Sequence, residues 1–316
     1  MKGSLEDLYR DEATPLLNVH DVSYTSTVRR DHHVYRAAFV VDDMQRLLIA
    51  VGKQLSRDEW SPPSPNQPNV VFVFCGMGTA WDGMCRQLLA EHQVFRDTMM
   101  EVEKHLSAYV TWSLTQRLQQ EDPSKDPVLA PIAIFACQVG LSAVWRSLGI
   151  QPSCVVGQSI GEVAAAYTAG CLTLADAVKI IYHRSQLLAQ VTGGAMVVVL
   201  NVEVDKVKEV LNGTKSKANV SLEYSPRACA VSADSETMQS LKPRLLTNLK
   251  PTYLDMRLLD LEVPVAYHSS HVNMAADQLT KLIKGETPTA PSAKFISTVT
   301  GKASKVLSIW VTGPTT

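Results

Sequence analysis

The sequence predicts an α/β protein, a core built on a parallel sheet with an inserted ferredoxin-like α+β subdomain. Three observations predict it. Apolar runs suited to buried parallel strands, Val70 to Phe74 and Ser153 to Val156, stand either side of a helical stripe in Pro131 to Leu148 that Gly149 ends. From Ala195 to about Leu259 the order becomes strand, helix, strand, strand, helix, strand, which is a split βαβ unit. Between these regions lies Gly157-Gln158-Ser159-Ile160-Gly161-Glu162, where a strand runs through a serine pinched between glycines into an alanine-rich helix.

In chain order, residues 1–60 read as a small linker domain. It holds a charged stretch from Tyr24 to Asp31, a strand-like Tyr35 to Val41 and an amphipathic helix from Asp42 to Leu55. The proline-rich Ser61 to Pro68 then breaks regular structure, because each proline lacks a backbone donor and disfavours helix before it. An α/β core is expected over 68–193, its first strand ending in Gly76-Met77-Gly78. The ferredoxin-like unit, 194–262, is expected as strand Ala195 to Leu200, helix Val204 to Leu211, strands Asn219 to Glu223 and Ala228 to Ser232, helix Ser235 to Leu249 and strand Thr252 to Leu259. Residues 263–301 return to the core and 302–316 form a divergent tail. Such an insertion makes a cleft with the core, and clefts are where substrates bind.

With 316 residues and 46% hydrophobic content the chain can bury a large core. Its net charge of -1 is spread along the chain, so neither nucleic acid nor a membrane surface is expected as partner. Met1 to Glu12 is charged, and no apolar run approaches the roughly 20 residues that cross a bilayer. A cytoplasmic location is the expectation. The six cysteines are scattered without a Cys-x-x-Cys pair and read as buried reduced thiols.

The chemistry centres on Ser159. A strand, a tight turn and a helix form a nucleophile elbow, where small flanking residues let the serine take a strained conformation that lifts its hydroxyl clear of the sheet. The helix that follows aims its N–H groups and positive end at anything bound there. A serine needs a base, and of eight histidines His20, His32, His33, His92 and His105 read as solvated surface residues. His268 and His271 lie where the chain returns to the core; His268 is the candidate base and His271 a loop residue. Arg184 shares a helical face with Ala177, Ile180, Ile181 and Leu188. A guanidinium there either pairs with a structural acid or snorkels outward, or it clamps the carboxylate of an acidic acyl group.

The elbow, Phe74 to Trp81, Arg184 and Ala266-Tyr267-His268-Ser269 together resemble the acyltransferase domain (malonyl-CoA:acyl carrier protein transacylase) of type I polyketide synthases and animal fatty acid synthase. The resemblance covers about residues 70 to 301. Tyr24 to His33 is similar to the linker that joins ketosynthase to acyltransferase in those synthases. It implies a hydrolase-like α/β core, a malonyl or methylmalonyl thioester of coenzyme A as donor and an acyl carrier protein as acceptor. Ser159 is then the nucleophile, His268 the base, Met77 and Ile160 the oxyanion donors, and Arg184, Gln158 and Tyr267 the residues contacting the acyl group. The resemblance implies no metal, and coenzyme A enters as substrate, so no cofactor is expected. The sequence departs from the family pattern at Met77, Gln158, Ala80, Tyr224 and the segment before His268, where an aromatic at 267 leans toward malonyl. After Gly301 the resemblance is lost, and with it the part that orients the histidine in relatives. Two other readings stand beside transfer: a serine hydrolase or thioesterase, which would add an acid such as Asp234, Asp255 or Asp260, and a truncated noncatalytic fragment.

Overall fold

A computed structural model of the chain describes residues 7, 9–11, 14, 17–33, 35–57, 69–214, 217–261, 263–285 and 289–304. The chain divides into two compact units, Met1–Pro68 and Asn69–Thr316. The whole of the expected Ser61 to Pro68 break, and the tail from residue 305, lie outside the described residues.

The first unit contains α1 (Val19–Val28) and α2 (Met44–Arg57), packed through Met44, Leu47 and Val51 with Val19, Val22, Phe39 and Val41. The expected strand Tyr35 to Val41 does not form. Val40 is fully exposed and the segment finds no ladder partner among the described residues, so Phe39 and Val41 serve only as packing for α2. That helix starts two residues later than expected, because Asp43 accepts the Arg46 N–H instead of entering the first turn.

The core of the second unit is a three-stranded parallel sheet of β1 (Val71–Phe74), β2 (Cys154–Gly157) and β7 (Lys294–Ser297), with β2 central. Phe74, Gly157 and Ser297 are in register, so all three carboxyl ends open at one level. Helices α3 (Arg86–Glu91), α4 (Gln93–Leu106), α5 (Leu114–Gln120), α6 (Leu129–Ser147), α7 (Gly161–Thr168) and α8 (Leu174–Ala189) supply most of the apolar core with β1 and β2. Thr173 and Asp176 close a capping box at the start of α8. In length and composition α6 could cross a bilayer, contrary to the sequence expectation, yet 67% of its apolar window is buried inside the protein. It is the central helix of the core.

The inserted subdomain comprises β3 (Gly194–Leu200), α9 (Val204–Leu211), β4 (Ala218–Ser225), β5 (Ala228–Asp234), α10 (Ser235–Leu249) and β6 (Arg257–Leu261). Its antiparallel order β4-β5-β3-β6 is the ferredoxin-like one. Helices α9 and α10 cover one face over Val197, Val199, Cys229 and Val231. Strand β6 starts at Arg257 rather than Thr252, because turns from Leu249 to Met256, held by Lys250 on two carbonyls, occupy the intervening residues. The chain re-enters the core through α11 (Asn273–Leu282) and β7. Beyond Gly301, Ala303 bridges Ile296 antiparallel, so the start of the tail folds back along β7.

Candidate active site

Ser159 sits just past the end of β2 with φ 54°, the strained conformation expected of an elbow. The flanking glycines are set by close approach. A Cβ on Gly157 would lie 2.3 Å from the Gly161 carbonyl oxygen, and one on Gly161 would lie 2.3 Å from that of Phe74. Beside the elbow, the loop after β1 is held by Gln138, whose Nε2 donates to the Cys75 carbonyl at 2.8 Å, and by Thr79, whose hydroxyl donates to the Gly76 carbonyl at 3.0 Å. Gln158 packs its side-chain amide against Gly76. Among the described hydrogen bonds, neither the Met77 N–H nor the Ile160 N–H has an acceptor.

Arg184 lies on α8 beside the buried Ala177, Ile180 and Ile181, and its Nη2 donates to Ser159 Oγ at 3.1 Å. No ion pair joins it to a carboxylate among the described residues. Burial holds its pKa down to about 10, against the opposing fields of Glu162 and Tyr267. Glu162, only 2% exposed, accepts from the Thr298 hydroxyl at 3.0 Å, and burial raises its pKa. Burial also raises the Tyr267 phenol.

His268 has φ 57°, a second side chain in the left-handed region. Burial, then the charge of Arg184, lowers its pKa to about 4, so the imidazole is neutral at pH 7. Its ring makes no hydrogen bond to Ser159 among the described residues; the direct contact on the serine comes from Arg184. The turn around it is tied to the subdomain: Asn219 Nδ2 donates to the His268 carbonyl at 3.1 Å and the Ser232 hydroxyl to the Tyr267 carbonyl at 2.7 Å. Ser269 Oγ donates to the Ala266 carbonyl at 2.6 Å, and His271 Nδ1 accepts from the Ala266 N–H at 3.4 Å. Of the other histidines, His20, His32 and His33 are exposed, whereas His92 and His105 are half-buried rather than solvated. His183 packs edge-on against Tyr109 and Tyr182.

Sequence reasoning assigned no role to Glu162, Asn219 or Ser232. Glu162 was within the elbow motif, but a carboxylate after a glycine gives no sign of burial. Ser232 carried a faint signal, a hydroxyl in an otherwise apolar strand.

The acyl transferase domain family matches residues 71–311. The chain belongs to that family. The match runs ten residues past Gly301, where the sequence reading had ended the resemblance. This acyltransferase is 32% identical over 306 residues to the erythronolide synthase EryA3 of Saccharopolyspora erythraea, covering 95% of this chain and 9% of the synthase. It is 28% identical over 296 residues to the conidial pigment polyketide synthase PfmaE of Pestalotiopsis fici, covering 92% of this chain and 13% of that one. The acyltransferase thus spans about a tenth of the length of these curated relatives. Among solved structures it is similar to the acyltransferase domain from module 8 of the salinomycin polyketide synthase, with TM-score 0.79 and 28% identity over 96% of this chain and 73% of that one. It also resembles a loading acyltransferase from the avermectin modular polyketide synthase, with TM-score 0.67 and 31% identity over 74% of each chain.

Proposed function

We propose that this acyltransferase moves a malonyl-type group from coenzyme A through an acyl-Ser159 intermediate to the phosphopantetheine thiol of an acyl carrier protein. In this reading it works in polyketide or fatty acid synthesis, in the cytoplasm, with a ketosynthase as a neighbouring domain and no cofactor. The observation that carries the reading is the hydrogen bond from Arg184 to Ser159 Oγ, made by a guanidinium that has no carboxylate partner among the described residues. A cation enclosed in this way favours an anion, and an extender carboxylate offers two oxygens to its fork.

His268, neutral at pH 7, takes the Ser159 proton as Oγ attacks the thioester carbonyl. The oxyanion is held by the Met77 and Ile160 N–H groups, each such donor contributing about 2.7 to 4 kcal/mol to the transition state. Collapse expels the coenzyme A thiolate, which recovers the proton from His268. The second half repeats these steps with the carrier thiol as nucleophile and Ser159 as leaving group. Gln158 and Tyr267 border the acyl group.

Hydrolysis would call for an acid behind His268. Asp234 instead caps α10 through Thr237, Asp260 pairs with Lys242, and Asp255 is exposed. No observation favours that alternative.

Intact-mass analysis of the chain mixed with malonyl-CoA or acetyl-CoA tests the proposal. A malonyl adduct is expected on the wild type and none on Ser159→Ala. Arg184→Ala should cut the preference for malonyl over acetyl about 10- to 100-fold, the range for losing hydrogen bonds to a charged group. A folded wild type without adduct, or an unchanged preference, would remove the reading.

A further inference from the structure

We infer that Asn219 and Ser232, two residues of the inserted subdomain, are positioning residues that aim His268 by holding the carbonyls on either side of its Cα. The inference rests on the reading of His268 as the base. Its own evidence is the geometry of the turn.

His268 has φ 57°, a region that a residue with a Cβ leaves unless its surroundings over-determine it. The Tyr267 carbonyl precedes its Cα and accepts from the Ser232 hydroxyl at 2.7 Å; its own carbonyl follows and accepts from Asn219 Nδ2 at 3.1 Å. Anchoring both peptide planes anchors φ and ψ together. The direction of the Cα–Cβ bond, and so of the imidazole, is then set from the subdomain.

The two donors are placed for this as a unit. Asn219 and Ser232 are cross-strand partners on β4 and β5, and Met196 of β3 pairs with Ser232 on its other side. They lie on the sheet face opposite the one that α9 and α10 cover. Ser232 is 0% exposed between the buried Met196 and Ala230, where a hydroxyl without an acceptor would be costly. Its hydroxyl lies within donating distance of the Tyr267 carbonyl at 2.7 Å and of Ser221 Oγ at 2.8 Å, while the Ser221 hydroxyl donates to the Ala230 carbonyl at 3.2 Å. The other side-chain contacts of the turn, Ser269 Oγ on the Ala266 carbonyl, the Ala266 N–H on His271 Nδ1 and the His271 N–H on Ser269 Oγ, do not touch the carbonyls flanking His268. Losing Ser232 or Asn219 therefore leaves the turn folded and frees the base within it.

The test compares Ser232→Ala and Asn219→Asp with the wild-type chain, the second keeping the shape of the side chain while removing its donor. Two readouts are needed: single-turnover acylation of Ser159 by malonyl-CoA as a function of concentration, and an imidazole NMR titration of His268, assigned by loss of its signal in His268→Gln. Each variant should slow the maximal rate about 10- to 100-fold, the scale of an ångström-sized misplacement of a reacting group. Half-saturation should stay within about threefold, because substrate contacts are untouched. The His268 midpoint should rise from about 4 toward its ordinary value as the ring gains access to water.

Rates within about twofold of wild type, a change confined to half-saturation, or an unmoved His268 midpoint would overturn the inference. If Ser232→Ala fails to fold, Asn219→Asp on the half-buried outer strand decides the matter. A folded wild type that takes no malonyl group would remove the transfer reading, and the titration would still judge the clamp.

Discussion

The two side chains proposed to react, Ser159 at φ 54° and His268 at φ 57°, both sit on left-handed backbone, and the two are held there in opposite ways. The elbow is held by exclusion. Since a Cβ on either Gly157 or Gly161 would fall 2.3 Å from a facing backbone oxygen, the chain has little room for any other path. The histidine turn is held by attraction, through hydrogen bonds from residues far away in sequence on another sheet. Steric confinement is local and rigid, whereas a hydrogen-bonded clamp can be loosened one donor at a time.

The sharpest way to break the comparison is at the elbow. Gly157→Ala adds a methyl against backbone, which cannot move aside, and should destabilise by about 3 kcal/mol, the upper end for overpacking, while abolishing acylation. An unchanged denaturant midpoint would show that the elbow is not sterically set. Next comes the pH profile of acylation, which reads the histidine side. With His268 held at about 4, the single-turnover rate should stay level from about pH 8 to 5 and fall about tenfold per unit below 4. The accompanying stability follows linkage: a histidine with a depressed folded pKa contributes fully above its unfolded value near 6.5. That contribution is lost as pH falls from about 6.5 to 4, where the unfolded chain takes up the proton first. A rate midpoint near 6.5 would mean that the base is solvated. The smallest effect distinguishes strain from packing: Ser159→Gly should be more stable than Ser159→Ala by about 1 kcal/mol, because only glycine takes φ 54° freely. Equal melting temperatures would remove strain from the elbow.

The same division explains what could be read in the sequence. The elbow strand, its glycines, the helix Pro131 to Leu148 and the order of the inserted unit were legible because each is written within a dozen neighbouring residues as an apolar period or a sterically required small residue. Arg184 was visible as a charge on an apolar face, yet its contact with Ser159 was not, since nothing local records which side chain meets it. As contacts of the histidine turn, Asn219 was invisible for the same reason and Ser232 showed only as a hydroxyl in an apolar strand. Tyr35 to Val41 misled in the reverse direction: its apolar residues suit a strand, but a strand also requires a partner ladder, and none is offered among the described residues.

The insertion leaves the core at Gly194 and comes back at Pro264, and the Gly194 N–H donates to the Pro264 carbonyl at 2.9 Å. A Cβ on Gly194 would stand 2.1 Å from the Ala266 nitrogen, so the outgoing and returning chains touch backbone to backbone. To the core, the whole subdomain is a loop whose ends are already closed. Closure entropy grows only with the logarithm of loop length, about 0.6 kcal/mol per doubling, so lengthening or trimming the subdomain away from this junction costs the core little. Substitutions in the outer loops of the subdomain are thus free to vary without disturbing the elbow, provided that the strands reaching the histidine turn keep their register.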